Sequence, residues 1–511
     1  MSRRLFKSTI VVASMTLISR LLGFVRDMLI AHLFGVGIAT DAFFVAFKIP
    51  NFFRRSFAEG SFAHAFVPIL SDYKEKGSKE TLKLFISKMA GTLSVCLLLI
   101  TLAGIVLAPI LILILAPGFS WQGTQHDLSV QMLRLTFPFL LFISLTAFAG
   151  SILNSHAKFA IPALTPVILN ICMIATAIWL APYMDTPVVS LAWGVFIGGI
   201  VQLVFVIPPL VRLGLLSRPR IDFHDPGVKR VIGLMLPAMF SVSITQINLL
   251  LDTLFASFLV TGSVSWLYYS DRLVEFPLGI LGLTLSTVIL PNLAKHHISN
   301  DTAAFSNALD WGLRLVLLVG MPATIGLIML AEPILSSLFQ YDEFSINDVH
   351  FSGLSLKAYS VGILGYLLIK VLVPAFSSRQ EVKTPVRFAM YAMGVSLGLN
   401  VVLVFPLAHA GLALATSLGA FFNAALLLNK LLKDKVYQPA TGWVLFFCRV
   451  LLASAAMTAV LYFWVNAGWW NDWNATDRII NLLKWIIIGM SVYVVTLLLT
   501  GLKPRHLTVK S

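Results

Sequence analysis

The residues that could do chemistry in this chain are mostly arginines, and they sit where charge is least welcome. Arg20 and Arg26 lie inside the first apolar stretch, with Asp27 beside the second of them. Asp41, Lys48, Arg54, Arg55 and Glu59 lie inside the next stretch. A third cluster, Asp271, Arg272 and Glu275, follows near the middle of the chain, with Asp252 before it and Lys370 further on. An ionisable side chain at membrane depth costs roughly 2.5–3.5 kcal/mol on insertion scales, so such residues need partners or a task. The guanidinium is planar, stays charged at any working pH and grips phosphate oxygens bidentately. Several arginines converging in a low-dielectric cavity suit a diphosphate better than a neutral sugar or a drug cation. A proton pump would instead favour a lone carboxylate or histidine. There is no Walker loop, no metal-ligand spacing and no nucleophile–base pair that spacing identifies. His32, His64, His126 and His156 are scattered and read as interfacial residues.

Structural readings compete at each position. Arg55 and Glu59 form an i,i+4 pair that needs no ligand. Lys48 stands two residues before Pro50 and has the stem length to snorkel. Arg272 has Asp271 beside it and Glu275 a turn away, so a self-neutralised network is an alternative to a binding site. Six residues turn a straight helix by about 240°, so Arg20 and Arg26 do not share a face unless Gly23 permits a bend. The preferred reading has Arg20, Arg26 and Arg272 facing one water-filled cavity.

The elements that must position these residues follow from composition. Hydrophobic residues are 58% of 511 and charged residues 12%, against about 25% charged in a soluble domain; mean hydropathy is +0.88. A chain this apolar takes the bilayer as its solvent, which leaves helices or a closed barrel. Runs of about 20 residues, rather than alternating segments of about ten, select helices. Apolar helical stretches fall at 9–34, 38–70, 86–116, 128–153, 160–182, 187–211, 231–260, 264–292, 308–331, 352–375, 385–406, 409–432, 442–466 and 479–502. That is about fourteen spans, the second expected to divide near Pro50. Cys96, Cys172 and Cys448 all lie in apolar runs and suggest neither disulfides nor a metal site. The basic N-terminus superficially suggests a signal peptide. Arg20 and Arg26 interrupt the run and no small-x-small site follows, so it reads as a retained helix.

Lysine and arginine check that count. Among the links, the basic residues gather at the N-terminus, the even-numbered links and the C-terminus, for example Lys74, Lys76, Lys79 and Lys83, or Arg218, Arg220, Lys229 and Arg230. The odd-numbered links hold one, Arg478. This split places both termini in the cytoplasm. The formal charge of +14 is thus largely a topology signal, and nucleic acid is not an expected partner. The chain also repeats itself. With a 225-residue shift, Arg26-Asp27-Met28-Leu29-Ile30-Ala31 falls on Leu251-Asp252-Thr253-Leu254-Phe255-Ala256, and Gly37 falls on Gly262. Two same-way-up halves of six spans result, with substrate expected near the midplane between them. The expected divisions are 1–215, 216–435 opening with a basic linker, and 436–511 as an added pair of spans and a tail.

At these residues the sequence resembles the MurJ/MviN family of lipid II flippases, within the MOP exporter superfamily. Ser19-Arg20-Leu21-Leu22-Gly23-Phe24-Val25-Arg26-Asp27 is similar to its first-helix motif. Ala39-Thr40-Asp41-Ala42-Phe43-Phe44, Pro50-Asn51, Arg54-Arg55, Phe57-Ala58-Glu59-Gly60 and Ala65-Phe66-Val67-Pro68 are similar to its second. Gly262-Ser263-Val264-Ser265-Trp266, with Tyr269, Asp271-Arg272 and Glu275-Phe276-Pro277, is similar to its eighth. The resemblance implies two six-helix lobes in a V around a cationic cavity, in the inner membrane of a bacterium. The implied substrate is undecaprenyl-diphosphate-linked disaccharide-pentapeptide, moved from the cytoplasmic to the periplasmic leaflet. It implies that Arg20, Arg26 and Arg272 contact the diphosphate, with Asp27 as their partner. Asp41 and Arg54 match further functional positions, and Glu59 a gate; Lys48 and Asp271 complete the expected binding set. The last two spans would hold the polyprenyl tail. A monomer is expected, with membrane lipids and cell-wall synthesis proteins as partners and no cofactor. Some members bind sodium; here Asp252, Asn400 and Thr416 are the candidate ligands, and the single carboxylate weakens attraction for a cation.

Two other functions stay open on residues alone. A related exporter could move drugs by cation antiport, though its cavity should be acidic or aromatic, or move another polyprenyl-linked glycan. A polymerase acting on polyprenyl diphosphates would need a catalytic acid or base on an outer loop. The longest such loop, 332–351, offers Asp342, Glu343 and Asp348, read as solvated acids.

Overall fold

The computed structural model describes residues 3–55, 62–120, 123–299, 301–466 and 468–502. Among them there is helix and no strand. The first half comprises α1 (Arg3–Phe34), α2 (Ile38–Phe53), α3 (Phe62–Lys76), α4 (Lys79–Val106), α5 (Ala108–Leu115), α6 (Thr124–Thr136), α7 (Phe139–Ser155), α8 (Ala160–Trp179) and α9 (Val189–Arg212). Then come α10 (Pro226–Ser257), α11 (Ser263–Ile298), α12 (Thr302–Met329), α13 (Ala331–Phe339), α14 (Ile346–Val361), α15 (Ile363–Ser377) and α16 (Lys383–Lys433). Last are α17 (Trp443–Trp464), α18 (Trp469–Asp472) and α19 (Ala475–Leu499). Every span expected from the sequence falls on these helices. Nine helical stretches among the described residues are long and apolar enough to cross a membrane. One of them, Lys383–Lys433, contains two crossings, because Ala408 (φ 47°, ψ −129°) leaves the helical region at its centre. The second span does not divide at Pro50: α2 continues through that proline to Phe53, and residues 56–61 lie outside the described residues.

The internal repeat is visible in the order of elements. α1, α4, α5, α6, α7 and α8 begin at 3, 79, 108, 124, 139 and 160; α10, α12, α13, α14, α15 and α16 begin at 226, 302, 331, 346, 363 and 383. The two series stay 222–224 residues apart. Both contain a long helix continued by a short one of eight or nine residues, then a crossing broken into two helices. Such agreement in irregular features argues for duplication more strongly than the few sequence identities do.

The chain forms two compact units, Met1–Ser265 and Trp266–Ser511. In the first, α10 packs against α2, α3, α4 and α5. Phe62, Phe66 and Phe148 form a cluster of rings with centroids 5.1–6.0 Å apart, and Tyr73 stacks on Phe85 at 4.3 Å. Gly194 and Gly198 let α9 lie directly on α8: an added Cβ would collide with Thr176 Oγ1 at the first and stand 2.8 Å from Leu169 at the second. Small residues are the usual means of close helix approach where apolar burial gives no drive against lipid. The linker 213–225 is laid along α4. The amide of Arg220 donates to the Ser87 carbonyl at 3.0 Å, that of Asp222 donates to Thr92 Oγ1 at 3.1 Å, and Lys88 reaches Asp222 and Asp225 at 2.9 Å each. The bond from Lys88 holds the Asp222 carboxyl below the usual range.

In the second unit, α17 and α19 pack on each other and on α12, and α19 also packs on α13. The link before α17 is tied down by buried Asp310, which accepts from Tyr437 (2.8 Å), Trp443 Nε1 (2.6 Å), the Ala440 amide (3.1 Å) and Arg314 (2.8 Å). Burial, then the bond to Asp310, pushes the Tyr437 hydroxyl far above the ordinary tyrosine range. Arg478, the one basic residue of the odd-numbered links, is buried and donates to the carbonyls of Trp470 (2.7 Å), Gln340 (2.8 Å) and Ser336 (3.3 Å). It neutralises the C-terminal end of α13, where carbonyls lack helical partners. Its charge is used structurally, which accounts for its departure from the pattern of the other links.

Candidate functional site

On α1 the two arginines part company, as the 240° turn requires. Arg20 is exposed, whereas Arg26 and Asp27 are 5% and 1% accessible. Arg26 forks onto one carboxylate oxygen of Asp27, from Nε at 3.0 Å and Nη2 at 2.7 Å. Its other arm, Nη1, donates to Asn170 Oδ1 at 3.0 Å and approaches Met173 Sδ at 3.7 Å. Asn170 in turn donates to the Ser19 carbonyl at 3.1 Å, which ties α8 to α1 at the motif. Sequence reasoning missed Asn170; the available signal was an amide alone within the fifth apolar run. The arrangement holds a guanidinium rigid and charged in a dry place, next to one carboxylate.

On α2, Asp41 is 1% accessible and accepts three bonds: from the Gly262 amide (2.7 Å), the Ser265 amide (2.9 Å) and Ser265 Oγ (2.6 Å). These donors are the first free N–H groups of α11, so Asp41 caps that helix from another element and meets its positive end. Gly262 precedes the helix at φ +100°, a conformation L side chains rarely adopt. Two turns on, Lys48 bonds Thr253 Oγ1 and reaches the Leu249 carbonyl at 3.4 Å. Lys48 therefore does not snorkel: together with Asp41 it sews α2 to the helices on either side of the 258–262 link. Arg54 donates twice to Asn51 Oδ1, at 3.0 and 2.8 Å, and like Arg55 is half-buried. Glu59 lies outside the described residues.

In the second unit, Arg272 on α11 pairs with Glu275 (Nη1 to Oε2, 2.9 Å) and donates to Tyr268 Oη from Nε and Nη2, each at 3.3 Å. Its side chain keeps 27% of its accessibility and that of Glu275 keeps 41%, so this arginine is paired yet reachable. Asp271 is half-buried beside it. Asn400 and Thr416 are buried on the two crossings of α16. The register of that hairpin, set by Gly411 against Leu403 and Gly419 against Ser396, brings the two level. Asp252 is buried in the first unit. Among the described residues no three His, Cys, Asp or Glu side chains group as a metal site would.

Asp348 is not a solvated acid but is 8% accessible. It accepts from Trp266 Nε1 at 2.9 Å and from the amide and hydroxyl of Ser345 at 2.9 and 2.7 Å, in the capping box that opens α14. Asp342 and Glu343 are exposed.

Comparison with known proteins gives one answer along the whole chain. The profile of the family described as "Lipid II flippase MurJ" matches residues 30–484. A Haemophilus influenzae protein named "Probable lipid II flippase MurJ" is 44% identical over 97% of this chain and 100% of its own length. The Burkholderia cenocepacia "Lipid II flippase MurJ" is 38% identical, with 98% of each chain covered. A solved structure described as "Lipid II flippase MurJ, inward closed conformation" superposes with a TM-score of 0.80 at 28% identity, covering 95% of this chain and 98% of that one. An inward-facing multidrug resistance MATE transporter of the MOP superfamily shares the fold, with a TM-score of 0.69 at 13% identity, covering 84% of this chain and 98% of that one.

Proposed function

Because this chain belongs to the lipid II flippase family MurJ, we propose that it carries undecaprenyl-diphosphate-linked peptidoglycan precursor from the cytoplasmic to the periplasmic leaflet of the bacterial inner membrane. The family match across 455 residues, 30–484, carries this reading. The site chemistry agrees with it. Arg26 is held ready by Asp27 and Asn170, and Arg272 is held by Glu275 and Tyr268 while still reachable. A diphosphate offers more negative charge than either single carboxylate. Its bidentate, charge-assisted bonds compete with those of Asp27 and Glu275 for the guanidinium forks. The acid beside each arginine offsets its charge when no substrate is present.

The cycle is alternating access with both termini cytoplasmic. On that orientation Asp41 and Gly262, which it holds by its carboxylate, lie at the periplasmic end. Release leaves net positive charge, which an inside-negative potential draws back at about 2.3 kcal/mol per charge per 100 mV. A drug exporter is the weaker reading, since the likeness to MATE transporters extends to the fold alone and the paired groups on α1 and α11 include the cations Arg26 and Arg272. Asp252, Asn400 and Thr416 together offer a single carboxylate, which attracts a sodium ion less than two would. Purified protein in vesicles bearing labelled lipid II tests it. Accessibility of the label on the far leaflet should rise only with active protein, and no rise, or equal movement of an unrelated diphosphate lipid, would overturn the substrate.

A further inference from the structure

We propose that an open pocket on the first unit, between α5, α6 and α9, binds a zwitterionic phospholipid, with its phosphate on Arg134 and its ammonium on Asp127. The pocket is about 620 Å³ and its lining includes Pro109, Asp127, Gln131, Arg134 and Trp193. None of the substrate-site residues above lines it. The size is that of a small-molecule site, typically about 300–1,000 Å³. Asp127, Val130, Gln131, Arg134 and Leu135 recur at i, i+3, i+4, i+7 and i+8, so one face of α6 forms its wall.

Two observations choose the occupant. The first is Arg134. It is exposed on the pocket wall and lies about 9 Å along the helix from the start of the apolar run at 128, yet it makes no ion pair or hydrogen bond among the described residues. An arginine at that depth ordinarily pairs or reaches for an interface. The second is the order of charge. Asp127 stands two turns nearer the end of the span, its side chain 66% accessible, with His126 Nδ1 at 3.3 Å. Reading outward, the wall therefore presents a cation and then an anion. A phosphatidylethanolamine headgroup presents the reverse order, its phosphate next to the glycerol and its ammonium outermost. Arg134 snorkelling outward brings its fork to phosphate height. Trp193 supplies the amphipathic ring that favours the interface. The same helices carry exposed Ile110, Ile114, Ile197 and Val201 as an apolar surface for acyl chains. An anionic lipid such as phosphatidylglycerol would satisfy Arg134 but leave its glycerol head against Asp127.

The test is native mass spectrometry of the full chain released from nanodiscs of equal phosphatidylethanolamine and phosphatidylglycerol, counting retained lipids. Wild type should retain phosphatidylethanolamine preferentially. Arg134→Gln should lose retention of both lipids by about tenfold, and Arg134→Lys should recover most of it. Asp127→Asn should retain both equally. Asp127 is largely exposed, so its substitution leaves packing intact and remains decisive if Arg134→Gln fails to fold. Unchanged retention in Arg134→Gln, an unchanged preference in Asp127→Asn, or a wild-type preference for phosphatidylglycerol each overturns the proposal.

Discussion

Losing an arginine here costs what its partner is left without. Arg26→Ala strands the Asp27 carboxylate in a dry contact, and breaking one half of a buried pair costs about 3–5 kcal/mol. The variant should melt well below wild type in detergent as well as losing flipping. Arg26→Lys should recover little, because one ammonium does not reproduce a fork that serves Asp27 and Asn170 together. Arg272 is the cleaner probe. Its pair with Glu275 is partly exposed, and such pairs contribute about 0–1 kcal/mol. Arg272→Ala should keep its melting temperature and membrane level yet fail to support growth of a strain depleted of its own flippase; normal growth would remove the diphosphate from this residue. Asp41→Ala leaves two amides and a hydroxyl without an acceptor at about 1–3 kcal/mol, while Asp41→Asn keeps an acceptor and should cost less. Thermal melts of the pair separate the hydrogen-bonding role from the charge.

At the scale of elements, the links are as informative as the spans. The strap 213–225 is joined to α4 through Lys88, and its response to pH follows from Asp222. That carboxyl titrates lower when folded than when free, so its stabilisation is complete above the ordinary value of 3.8 and fades as pH falls through the depressed one. Amide protection of Asp222 and its neighbours, corrected for intrinsic exchange, should therefore be flat from pH 8 to 5 and fall in acid. Asp222→Asn should flatten the acid response. Arg478→Ala exposes four carbonyl acceptors at the junction of α13, α18 and α19. It should loosen α17 and α19 without touching Arg26 or Arg272, which limited proteolysis would show as cleavage near residues 466–475.

For the whole molecule, the prediction concerns voltage. If the emptied site returns carrying net positive charge, the flipping rate in vesicles should rise with an inside-negative potential and fall when it is collapsed; a rate indifferent to potential would leave the return step driven by something else. The class of protein, its crossings, the arginine clusters and the duplication were legible in the residues, because insertion into lipid is decided segment by segment by apolar length and flanking charge. Helical pitch alone argued against one shared face for Arg20 and Arg26 on a straight helix, yet a bend at Gly23 kept both among the residues expected in one cavity. Side-chain partners were not legible. Asn170 under Arg26, Asp41 on the amides of α11, Lys48 on Thr253 and Asp348 on Trp266 join residues 82 to 224 positions apart, or sit at helix ends whose unmet N–H groups appear only once the helices are packed. Sequence determined which charges enter the membrane, since that is a property of each segment; only tertiary structure decided which are neutralised and which stay reachable, since that depends on what packs against them.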